Sequence, residues 1–79
     1  MNWQDYIEAK PEVMLGKPVI KGTRITVELV LELLGQGSSE ADIVSSYPHL
    51  KPEQIRAALL YAAAALSTDE LILPTDHAA

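Results

Sequence analysis

The chain has no cysteine, few aromatic residues, few bases and no long apolar run. Without cysteine, neither disulfides nor thiolate metal sites can reinforce its 79 residues. A single domain of this size buries only about 60–65% of its unfolded surface, so oligomerisation or a partner is the remaining route to stability. The aromatic residues are Trp3, Tyr6, Tyr47 and Tyr61; the other apolar residues are aliphatic and rich in alanine, which suits helices. The longest apolar run, Ala57 to Leu66, is ten residues, too short to span a bilayer. The acidic start Met-Asn-Trp-Gln-Asp lacks the basic-then-apolar order of a signal peptide. A soluble, cytoplasmic, non-membrane protein is the expectation.

Nucleophile motifs and ligand spacings such as His-x-x-x-His are also absent, and His49 and His77 stand alone. Asp69, Glu70, Asp76 and His77 near the end read as a solvated acidic tail rather than a metal cluster. No enzyme, no cofactor, no metal and no small-molecule substrate is therefore expected.

What the chain does have is one basic segment. No acidic residue falls between Glu12 and Glu28, and Lys17, Lys21 and Arg24 all do. The rest of the chain holds three bases and all eleven acids, so the whole chain, with six bases, has a net charge of −5. Acidity disfavours unspecific nucleic-acid coating but leaves room for a local basic patch. Lys17, Lys21, Thr23 and Arg24 beside glycines could contact phosphate. The same residues could equally serve as scaffold, with Gly16, Pro18 and Gly22 shaping turns and Thr23 and Arg24 tying a β element to helices through Glu28 or Glu32.

Short β-compatible runs occur at Asp5–Glu8, Val13–Leu15 and Pro18–Ile20, with Gly16-Lys17 as a turn signal between the last two. Three helices follow. Thr26 is a good N-cap, and Gly35 and Gly37 end the first helix. Ser39-Glu40-Ala41-Asp42 resembles a capping box, and Pro48 stops the second helix near Tyr47. Pro52 suits a first helical position, and Ile55, Ala58, Leu59, Ala62 and Leu66 keep helical spacing to about Leu66. The expected fold is mainly α: a three-helix, helix-turn-helix domain with a short N-terminal β element. Its parts are a β segment and turn over 1–25, helices over 26–66 and a tail over 67–79.

In a groove-reading helix, Gln54 and Arg56 are the candidate base contacts, while Glu53 would repel phosphate. The third helix otherwise reads as a packing surface, so the β segment is the stronger DNA candidate. The first helix is apolar on nearly every side, which points to a homodimer or to a central core helix. Candidate interface residues are Val19, Ile20, Val27, Val30, Leu31, Leu34, Leu60 and Tyr61, joined by Leu71, Ile72 and Leu73 in the tail. That tail is either a frayed terminus or a docking segment.

Gly16-Lys17-Pro18-Val19-Ile20, Gly22-Thr23-Arg24-Ile25 and Val27 together closely resemble the signature of the domain-of-unknown-function family numbered 433. Gly37-Ser38, Tyr47-Pro48-His49-Leu50, Pro52-Glu53-Gln54-Ile55 and Ala57-Ala58-Leu59 agree with it, so the resemblance covers roughly residues 5 to 66. It implies a homeodomain-like, three-helix antitoxin of VapB type, paired with a PIN-like nuclease toxin and binding operator DNA as a dimer. The alternative is a protein-interaction module with no DNA role. The sequence departs from the family pattern at Lys10 before Pro11, at Leu15 before the Gly-Lys-Pro and at Lys51. Lysine cannot cap the third helix, which weakens that cap by about 1 kcal/mol.

Overall fold

The computed structural model describes residues 1–67. Two short strands, β1 (Ile7–Glu8) and β2 (Val19–Ile20), pair antiparallel with Ile7 opposite Ile20 and Glu8 opposite Val19. Three helices follow: α1 (Val27–Gly35), α2 (Glu40–Ser46) and α3 (Pro52–Ser67). The architecture is mainly helical with a two-stranded N-terminal sheet, as expected.

The helix ends follow local chemistry. Thr26 has extended backbone angles and its hydroxyl accepts from the Leu29 N–H at 3.0 Å, capping α1. At the other end the Gly37 N–H reaches the Leu34 carbonyl and the Ser38 N–H reaches that of Leu33, with Gly37 at φ 106°. This is a Schellman closure, and its left-handed position favours glycine. Ser39 and Asp42 form the full reciprocal box before α2, at 3.0 and 2.9 Å. At α3 the Gln54 side chain takes the Lys51 backbone N–H at 2.7 Å. Lys51 itself supplies no cap, but the glutamine supplies half of a box from the third helical position.

One expectation is corrected. Residues 13–15 are not a strand, and Gly16-Lys17 is not a hairpin turn. A two-residue turn there would need an N–H on Pro18 to close onto Leu15, and proline has none. Instead Met14–Gly16 forms a tight turn with positive φ at all three residues, 49°, 59° and 85°. The partner of β2 on that side is β1, reached across the longer 9–18 connection. On its other side, Val19 bridges Thr26, the Ile20 N–H donates to the Ile25 carbonyl, and the Val27 N–H donates to that of Pro18. The true hairpin therefore bends at Lys21-Gly22.

The core gathers Ile7 and Ile20 from the strands, Val27 and Val30 from α1, Ile43 from α2, Leu50 from the connection, and Ile55, Ala57 and Ala58 from α3. The β segment is thus part of the same hydrophobic centre as the helices. On α3 the buried stripe is Ile55, Ala57 and Ala58, whereas Leu59 and Leu66 of the expected apolar face are exposed. Trp3 packs edge-on against Tyr61 at 5.3 Å between ring centroids, which fastens the N-terminal segment to the far half of α3. Among the described residues, no helix is long and apolar enough to cross a membrane.

Candidate functional site

Two surfaces follow from this arrangement. The first is the tip of the hairpin. Thr23 donates its backbone N–H to the Ile20 carbonyl at 2.9 Å, and Gly22 sits at φ 81° in the third position, the pattern of a type II turn. The Thr23 hydroxyl donates to the same carbonyl at 2.7 Å and accepts from the Ile25 N–H at 2.9 Å. Thr23 is therefore spent on holding the turn. The Gly22 N–H, the group that would meet a phosphate, donates instead to the Glu8 carboxylate at 3.1 Å. Glu8 was not among the candidate residues; β1 carries it to the turn from fourteen positions away, and no local pattern marks it.

Of the bases expected to grip an anion, Lys17 pairs with Glu28 at 3.0 Å. Arg56 makes a two-pronged bond to Glu40, at 3.0 and 3.2 Å, and this raises its pKa through the hydrogen bond first and the charge second. Gln54 is occupied at the start of α3. Lys21 and Arg24 remain, both exposed and without an ion pair among the described residues. The hairpin tip thus holds two available positive charges on a rigid turn. At the start of α3, by contrast, the candidate base contacts Gln54 and Arg56 are both already committed.

The second surface is an apolar groove of about 520 Å³ between α1 and the far half of α3. Val27, Leu31, Tyr61, Ala62, Ala65 and Leu66 line it, with Lys17, Glu28 and Glu32 among its other neighbours. The alanines keep the α3 wall low, so the space between the helices stays open. Val19, Ile20, Val27 and Val30 of the candidate interface are buried within the chain's own interior. Leu31, Leu34 and Tyr61 are half-buried, and Leu60 is 43% exposed. Of the candidate interface residues, Val27, Leu31 and Tyr61 meet in this groove. Leu71, Ile72 and Leu73 lie outside the described residues, as do Asp69, Glu70, Asp76 and His77. Among the described residues, no group of three or more His, Cys, Asp or Glu side chains gathers as a metal site would require.

Comparison with known proteins agrees with the signature around Gly16 to Val27. A curated relative, the uncharacterized protein y4eO of Sinorhizobium fredii, is 33% identical over 61 residues. That stretch is 77% of this chain but 28% of the relative, so the chain spans little more than a quarter of that protein's length. The crystal structure of a DUF433 member protein from Anabaena variabilis superposes with a TM-score of 0.76 at 29% identity, covering 82% of this chain and 64% of that one. A family model described as "Protein of unknown function (DUF433)" matches residues 7–62, from β1 through most of α3. The chain belongs to the DUF433 family.

Proposed function

We propose that this domain is a non-enzymatic partner-binding protein, the antitoxin-like half of a pair whose other half is a PIN-like nuclease toxin. The observation that carries the partner-binding part is the open apolar groove between α1 and α3, which a domain acting alone would gain by closing. The nuclease identity rests on the family resemblance in the signature residues. Within this reading, Lys21 and Arg24 on the hairpin tip are the operator-DNA contacts, presented twice by a dimer. The α2–α3 pair has the outline of a homeodomain-like helix-turn-helix, but α3 acts as a packing helix.

The test is a band-shift titration against the DNA flanking the protein's own reading frame, with and without the neighbouring nuclease. Four bases from a dimer predict that log K falls with log salt at a slope of about −3 to −4, since each neutralised phosphate contributes roughly −0.9. Lys21→Glu with Arg24→Glu should abolish the shift, whereas Arg56→Ala should leave the slope unchanged. Absence of salt-sensitive binding, with the nuclease present, would remove the DNA half. A second reading, an interaction module with no DNA role, is favoured by one observation: Lys17, Thr23, Gln54 and Arg56 are all engaged within the chain. Capture of the nuclease by a protein that never shifts DNA would select it.

A further inference from the structure

We propose that the groove between α1 and α3 receives a basic amphipathic helix of another protein. This rests on the partner-binding reading above and specifies the chemistry of what binds. The groove is bounded by two helices, and its lining from Val27, Leu31, Tyr61, Ala62, Ala65 and Leu66 is apolar. A trough of that kind accepts the apolar stripe of a helix through anchors spaced three and four residues apart.

Charge selects among the occupants. Glu32 is exposed on the rim, and its carboxylate has no ion-pair partner among the described residues. Glu28, also on the rim, is balanced only by Lys17. Neither α1 nor α3 carries a basic residue in its last turn, so no cation there offsets the negative end of either helix. The groove is therefore an apolar trough with a net negative border. A second copy of this chain carries −5 and the same acidic border. The chain's own Leu71-Ile72-Leu73 follows Asp69 and Glu70 directly, so that segment carries the same sign of charge as the border. A helix with lysine or arginine flanking its apolar stripe matches both the lining and the border.

The molecule contains its own reporter. Trp3 is the single tryptophan, and it contacts Tyr61 of the groove wall. Two synthetic helical peptides sharing one leucine stripe, one with lysine and one with glutamate at the remaining positions, are titrated into the full-length protein while Trp3 emission is followed. The lysine peptide should give a saturable change and the glutamate peptide none. Glu32→Lys should weaken the lysine peptide several-fold and allow the glutamate peptide to bind. Ala62→Phe, which fills the trough, should abolish binding while the circular dichroism spectrum stays unchanged.

Equal binding of both peptides, or binding indifferent to Glu32→Lys and Ala62→Phe, overturns the proposal. So does a dimer, seen by sedimentation, that the lysine peptide dissociates, because a second copy would then own the groove. A tenfold tightening when Leu71, Ile72 and Leu73 are all replaced by serine would assign the groove to the tail instead. Nuclease capture by a protein that ignores the lysine peptide defeats this inference and spares the partner reading. Binding of the lysine peptide by a protein that captures no nuclease does the reverse.

Discussion

Leu15 is 93% exposed and holds φ 59°, ψ 31°, beside Met14 at φ 49°. Left-handed backbone costs a branched side chain roughly 1–2 kcal/mol, and this leucine recovers almost nothing by burial. Leu15→Asn should accordingly stabilise the protein by about 0.5–1 kcal/mol, seen as a higher urea midpoint, since asparagine tolerates that region. Gly22 is the converse case. Its φ is 81° and a Cβ there would meet nothing within 4 Å, so the strain of Gly22→Ala is purely conformational. A loss of about 1–2 kcal/mol in urea titration is expected. The two substitutions together separate backbone strain from packing, because neither touches the core.

Within the elements, legibility divides by distance along the chain. Thr26, the Ser39–Asp42 box, Gly37 and Pro52 were readable because each acts on groups no more than five positions away. The Met14–Gly16 turn was not, because Val13-Met14-Leu15 has the composition of a strand and only the missing N–H of Pro18 argues otherwise. Glu8 at Gly22 and Glu40 at Arg56 were not readable either: they join residues fourteen and sixteen positions apart, which only the assembled fold brings together. Charge and hydrogen-bonding capacity mark Lys17, Lys21, Thr23, Arg24, Gln54 and Arg56 in the sequence, but neither reveals which of them already have partners in the fold.

The box before α2 also carries a pH dependence. Hydrogen bonds from the Ser39 backbone first, and from its side chain second, hold Asp42 below its ordinary value of 3.8. A carboxylate with a lowered folded pKa stabilises the fold fully above the unfolded value, and that contribution is lost as the pH falls through the folded one. As the pH falls below about 4 the urea midpoint should fall, with a shallower slope in Asp42→Asn. An unchanged slope would mean that α2 does not report on global stability.

For the molecule as a whole, the core is small enough that single positions dominate. Ile55 is fully buried in the first turn of α3, among residues drawn from both strands and all three helices. Ile55→Ala should remove about 2–5 kcal/mol. Domains of this class hold about 5–15 kcal/mol in total, and a short one sits at the low end. The expected result is a protein largely unfolded at 37 °C by circular dichroism, recovered in part by a saturating partner through mass action. Thermal melts at rising partner concentration would measure that recovery.

The edge-on contact of Trp3 with Tyr61 also has a meaning in time. Synthesis proceeds at about 5–20 residues per second, so Trp3 precedes its aromatic partner by roughly 3 to 12 seconds. In the later part of that interval α1 can form and cap itself, but the groove wall supplied by α3 is not yet complete. A partner helix that recognises the groove can therefore engage only a chain translated as far as α3, and a prematurely terminated chain would present it with nothing to bind.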